Sequence, residues 1–205
     1  VGCSAGSKAD SAAPKDYSQI LHDARTDEDN EYDMIFTKGE DGKFTAIDGY
    51  SAEYEAGQLD DEVRNLMMPL LNLEDDMYTD LAASVSSMMV RSYAVAIVKP
   101  AEGKTDAVKS ALEAYVTSEQ QSMEHYLEDQ YQIAKAATVT VAPTGEVILV
   151  CPRTTTPCWP TSKRHWQRKT HTNLPHSAAS AVSFCPQLCY TVPVIVQFYR
   201  SNLYV

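Results

Sequence analysis

The chain has 205 residues, 28 of them acidic and 17 basic, for a formal charge of −11 and an isoelectric point near 4.8. An acidic surface repels phosphate backbones and anionic headgroups, which argues against nucleic acid or a bare anionic bilayer as partner. No run of about 18 apolar residues occurs, so no segment reads as a membrane-crossing helix and any membrane attachment must be covalent.

Val1-Gly2-Cys3-Ser4-Ala5-Gly6-Ser7-Lys8 opens the chain, and small and polar residues continue to Pro14. Small residues ahead of a cysteine resemble the end of a lipoprotein signal peptide, where that cysteine becomes the lipidated first residue. Cys3 is therefore the expected lipidation site, with residues 1–15 as anchor and linker. A diacylglyceryl thioether carries two acyl chains, enough for stable attachment where one chain is not. The implied location is the extracytoplasmic face of a cell membrane, with the membrane as partner through the lipid. The competing reading is a free or disulfide-bonded thiol.

Asp16 and Gln19 form a candidate capping box, and Tyr17, Ile20, Leu21 and Ala24 share one helical face. Thr26 to Asp33 is a charge run, read as a solvated loop. Met34-Ile35-Phe36 and Lys43 to Ile47 flank Gly39-Glu40-Asp41-Gly42, which predicts a hairpin. Leu59, Val63, Leu66, Met67, Leu70 and Leu71 repeat at helical spacing, with Pro69 expected to kink or end that helix. A further helix is expected from Asp75 or Asp76, burying Met77, Leu81, Val85 and Met88. Tyr93 to Val98 is apolar on both faces and closed by Pro100, which suits a central strand covered on both sides. Thr105 can cap a long helix with a stripe through Val108, Leu112, Tyr115 and Met123, interrupted near Asp129 before Tyr131 and Ile133. Thr138 to Val141, the turn Ala142-Pro143-Thr144-Gly145 and Glu146 to Val150 read as a second hairpin. The fold class is α/β in the α+β sense: a small, mostly antiparallel sheet packed with helices over residues 16–150.

Composition breaks at the end of that hairpin. Residues 1–150 hold all 28 acidic residues and 11 of the 17 basic ones, a formal charge of −17. Residues 151–205 hold six basic residues and no acidic one, with four of the five cysteines and both tryptophans. Cys151, Cys158, Cys185 and Cys189 with His165, His171 and His176 could ligate zinc or form disulfides, but their spacing matches no standard metal motif. Lys163 to Lys169 is a basic aromatic cluster that does not by itself specify a nucleic-acid site.

The order of elements resembles that of a family of uncharacterised Firmicutes envelope lipoproteins, the domain of unknown function 4358. The resemblance rests on Tyr17-Ser18-Gln19-Ile20-Leu21, Leu70 to Met77, Tyr93 to Lys99, Tyr126 to Tyr131 and the Gly145 hairpin. It implies an envelope location, no assigned catalytic residue, and a short helix after the last hairpin. This chain departs from that pattern at Cys151. Taking the third base of each codon from Thr154 onward with the first two of the next permits Asp-Asp-Ala-Val-Leu-Ala-Asp-Ile-Glu-Ala-Ala-Leu-Ala-Ala. Cys158-Trp159 and His165-Trp166 can then give only Leu, Trp159-Pro160 and Trp166-Gln167 only Ala, and a stop is permitted across Thr172-Asn173. Residues 151–205 are accordingly read as an out-of-frame tail and not a domain.

No motif in the remainder specifies catalysis. Gly103-Lys104-Thr105 lies between a strand and a helix, as a phosphate-binding loop would, but the first glycine of that loop would fall at Val98. Asp27, Asp29, Glu31 and Asp33 alternate like calcium ligands without the central glycine or closing glutamate. His22 and His125 sit in no nucleophile or metalloprotease motif. The methionines Met67, Met68, Met77, Met88 and Met89 are expected to fill the core between the two middle helices. No cofactor, metal or catalytic residue is assigned. The expectation is an exported, membrane-anchored, non-enzymatic component that binds a protein or a small molecule. The alternatives are an envelope hydrolase with an unrecognised site and a surface protein without a specific ligand. A groove rich in Met and Tyr would favour binding, and a pocket of titratable groups with perturbed pKa values would favour hydrolysis.

Overall fold

A computed structural model of the chain describes residues 15–153, apart from residue 56. Among these, six strands form one sheet: β1 (Ile35–Lys38), β2 (Phe44–Ile47), β3 (Tyr78–Val85), β4 (Ala94–Pro100), β5 (Thr138–Val141) and β6 (Val147–Cys151). Their order is β2-β1-β3-β4-β6-β5, and every pairing is antiparallel. The α+β sheet read from the sequence is confirmed, with β4 inside it between β3 and β6.

Alternation along the central strands sends side chains to two separate cores. Leu81, Ala83 and Val85 of β3, Ala94, Ala96 and Val98 of β4, and Val147, Leu149 and Cys151 of β6 share one face. Ala82, Val95, Ile97, Ile148 and Val150 point to the other. That second face is covered by α1 (Tyr17–Ala24), through Tyr17, Ile20 and Leu21. The Asp16 carboxylate accepts the Gln19 amide at 3.1 Å, which makes the N-cap, but the Gln19 side chain bonds Asp23 at 2.8 Å instead of closing the expected capping box.

The first face is covered by two groups of helices. α3 (Gln58–Glu62) runs through a π-helical segment, Val63–Met67, into α4 (Met68–Leu71), with Pro69 in the first turn of α4. The wider π turns precede the proline, whose ring cannot fit a continuous α-helix, so the element continues past it instead of stopping. α5 (Thr105–Met123) and α6 (Glu128–Lys135) complete the layer. Thr105 is the first residue of α5 and not its cap; Lys104 occupies the cap position and contributes no side-chain bond.

Two expectations are overturned. The helix expected from Asp75 is strand β3, paired with β4 from Tyr78↔Pro100 to Val85↔Ala94. Met77, Leu81, Val85 and Met88 do recur at helical spacing, but Leu81 to Val85 are buried from both sides of a sheet, a setting that hides any alternation. Its consequence is that Met88 and Met89 lie in the β3–β4 loop, 57% and 90% exposed, instead of filling a core between helices. The charge run is likewise not a loop. It forms α2 (Asp27–Tyr32), opened by a capping box in which Thr26 and Asp29 each bond the other's backbone amide. Asp27, Asp29, Glu31 and Asp33 therefore do not line a calcium-type loop.

The hairpin turns hold as read: the Gly145 amide bonds the Ala142 carbonyl, with Gly145 at φ 97°. β6 extends to Cys151, one residue past the domain boundary placed at 150.

Candidate functional site

Where α1 ends, the chain turns extended at Arg25, whose side chain has no exposed surface. A guanidinium taken out of water must recover its hydrogen bonds from the protein. Arg25 does so across the fold: Nε donates to Asn30 Oδ1 at 2.9 Å, Nη1 to Ser84 Oγ at 2.9 Å and Tyr93 OH at 3.3 Å. Nη2 donates to the Asp33 carbonyl at 2.9 Å and Asp48 Oδ2 at 3.2 Å. Asp48 holds a left-handed backbone (φ 64°), and next to it a Cβ on Gly49 would meet the Met34 amide nitrogen at 2.6 Å. The β2 exit thus presses against the β1 entrance, with Arg25 beneath both.

Beside this hub opens a cleft of about 450 Å³. Its walls carry Tyr32, Tyr50 and Tyr54 with Met34, Met67 and Met88, drawn from α2, the β2–α3 connection, the π segment and the β3–β4 loop. Two arginines close one side. Arg91 reaches both carboxylate oxygens of Asp33 at 3.4 and 3.1 Å, and Arg153 reaches Asp29 Oδ1 at 3.2 Å and Asp33 Oδ2 at 3.1 Å. Asp29 is fully buried and Arg153 also lies 3.5 Å from Glu28. The Tyr54 hydroxyl donates to Glu62 Oε1 at 2.8 Å, and both residues line the cleft. Burial first, and then the hydrogen bond and charge of Glu62, push the Tyr54 hydroxyl up to about 12, so it stays a neutral donor at any physiological pH. The neighbouring Glu31 charge likewise raises Tyr32.

A second depression, about 490 Å³, lies between Phe44, Met68, Leu73 and Arg64. Arg64 is held there by Asp60 at 2.9 Å and by the Gly42 carbonyl, and it stacks 5.1 Å from the Phe44 ring, so it serves to fasten α3 to the first hairpin.

Of the residues singled out in the sequence, His22 gains a partner: its Nδ1 lies 2.8 Å from Asp48 Oδ2. An imidazole oriented by a carboxylate is two thirds of a hydrolytic triad. The serine one turn earlier, Ser18, gives its hydroxyl to Asp16 at 2.6 Å instead. His125 is a surface residue, its side chain 91% exposed. Lys104 of the Gly103-Lys104-Thr105 turn pairs with Asp76 at 3.0 Å.

Cys151 is buried and unbridged, its thiol donating to the Ser92 carbonyl. Burial, with the Glu119 charge nearby, raises its pKa, so it sits in the core as a protonated thiol. Cys3 and residues 154–205, with the remaining cysteines and histidines of the tail readings, lie outside the described residues. Among the described residues no group of His, Cys, Asp or Glu is arranged to hold a metal, and no helix is long and apolar enough to cross a membrane.

Sequence reasoning missed the cleft itself. Tyr32 reaches it from α2, and Tyr50 and Tyr54 from the β2–α3 connection, without the fixed spacing that marks a motif. The usable signal was Thr26 with Asp29, a cap pair that makes the acidic run a helix and so aims Tyr32 and Asp33.

No curated protein and no solved structure matches the chain. Residues 50–151, which span α3 to α6 and strands β3 to β6, match the family model described as Domain of unknown function (DUF4358).

Proposed function

We propose that this chain is a lipid-anchored, extracytoplasmic binding component of a cell envelope, held by Cys3 and working through the Tyr/Met cleft. The observation that carries the binding half is the lining of that cleft. Tyrosines and methionines offer large, adaptable apolar contact, while the charged groups around them are already engaged with one another. Such a wall suits recognition more than bond-breaking, which needs a polarised nucleophile within reach of a base. The anchoring half rests on Cys3, on the small residues before it and on the polar spacer that follows. The Firmicutes lipoprotein resemblance points the same way.

Expression in a Gram-positive host, followed by mass spectrometry of the Cys3 peptide and membrane partition, tests the anchor. The expected result is a diacylglyceryl adduct and membrane retention, both lost in Cys3→Ala. An unmodified thiol on protein that leaves the cell would overturn it.

A further inference from the structure

The fold has a polarity that bears on what the cleft meets. The chain enters the domain at Lys15 and Tyr17, which both bond Glu146 Oε1 at 3.0 Å, at the start of β6. One short helix later, Arg25 reaches Ser84 and Tyr93, at the opposite ends of β3 and β4. The cleft belongs to this second pole, built from the β3–β4 loop, the β2 exit and Arg153 beyond β6. The sheet register sets Glu146 level with Lys99 of β4 and Asp80 of β3, four residues from Ser84, so the poles lie about 14 Å apart along the strands at ~3.4 Å per residue. A tether that joins the domain through Lys15 therefore leaves the cleft at the pole away from the point of attachment.

Charge and apolar surface coincide at that pole. Glu28 and Glu31 adjoin Tyr32, and Glu53 and Glu62 adjoin Tyr54. With Asp29 and Asp33 these are six carboxylates against Arg91 and Arg153, both of which are already paired. The field over the cleft is negative and concentrates cations. One of its rings already accepts a cation: Arg153 lies 5.9 Å from the Tyr32 ring centre. Tyr50 is 54% exposed, and Met88, Met89 and Val90 form an exposed apolar tip beside it.

Resting on the binding reading above, we infer that the cleft takes a basic polypeptide segment. Its Lys or Arg side chains would lie along Glu31 and Glu53, and an apolar side chain would enter among Met34, Met67 and Met88. Charge complementarity selects this occupant over a lipid surface, because anionic headgroups meeting the apolar tip would also meet the carboxylates.

Fluorescence anisotropy with the full chain tests this, using a labelled heptapeptide of alternating Lys and Leu and its Glu/Leu counterpart. The Lys/Leu peptide is expected to bind, and Glu31→Gln with Glu53→Gln to weaken it by about tenfold. Tyr50→Ser with Met88→Ser changes only exposed side chains and is expected to weaken it similarly at an unchanged melting temperature. Equal binding of the Glu/Leu peptide, indifference to either double variant, or preferential binding of phosphatidylglycerol vesicles would overturn the inference. A neutral chitotetraose bound in a Tyr50- and Met88-dependent manner in place of the peptide overturns the basic partner and leaves the cleft reading standing. Binding of no probe in that dependent manner removes both.

Discussion

The Tyr17 hydroxyl donates to Glu146 Oε1 at 3.0 Å, joining the first turn of the first helix to the residue that precedes the last strand, 129 positions away. Lys15 at 3.0 Å and the Thr144 hydroxyl share the same carboxylate, which is 4% exposed. Burial alone would raise the Glu146 pKa, but the bonds from Thr144, Lys15 and Tyr17 outweigh it and hold the group below its ordinary 4.5.

The sign of the pH dependence follows. A carboxylate whose folded pKa lies below its unfolded value adds stability that is complete above the unfolded value and is lost as pH falls through the folded one. Stability is therefore expected to decline below pH 4.5 in part through Glu146. Glu146→Gln should lower stability at pH 7 by about 1–3 kcal/mol and flatten this acid limb. Urea unfolding at pH 7 and across the acid range checks it; an acid limb as steep as in the unaltered chain would show that Glu146 is not its source.

Arg25 is the buried charge on which α1, α2, β3 and the β2 exit converge. Arg25→Met leaves Asp48 without this cation and four other polar partners (Asn30, Ser84, Tyr93 and the Asp33 carbonyl) without its donors, and is expected to cost about 3–5 kcal/mol. Arg25→Lys should recover only part of this, since an ammonium cannot reach the same partners from one plane. Chemical denaturation of both variants measures it, and a loss below about 1 kcal/mol in Arg25→Met would mean that the network is incidental.

Both hairpins were legible in the sequence because their turns are chemically specific: Gly42 and Gly145 sit at φ 78° and 97°, where other residues are strained. α1 was legible through Asp16 and its apolar stripe. β3 was not. Ala82 and Ala83 carry no strand signal, and Met77, Leu81 and Val85 happen to recur as they would on a helix, so sheet burial overrode local pattern. The cleft was still less legible. Arg91 meets Asp33 across 58 positions and Arg153 meets Asp29 across 124, and only the assembled sheet brings these pairs together.

Cys151 should resist alkylation at pH 8 in the folded chain and react once urea opens the core, because burial keeps its thiol protonated. Peptide mapping after iodoacetamide distinguishes it from the other four cysteines. Equal labelling of Cys151 with and without urea would mean that it is not a core residue.

Cys151 pairs with Ala94 in the sheet and Arg153 binds three carboxylates, so the out-of-frame tail proposed from the sequence would begin at Thr154 or beyond. Nucleotide sequence across codons 145–175 tests it. A one-base correction should open Asp-Asp-Ala-Val-Leu-Ala-Asp-Ile-Glu, restoring the acidic composition of the rest of the chain. A clean reading of the present frame in independent isolates would contradict it.

The most direct test of the binding reading is oxidative footprinting of Met88 and Tyr50 on the protein in its native cells, compared with the purified chain. Tyr126, 67% exposed and outside the cleft, serves as the internal control. Protection of Met88 and Tyr50 in the cells, with Tyr126 labelled equally in both, is the expected result. Equal labelling of all three would mean that the cleft meets nothing where the protein works.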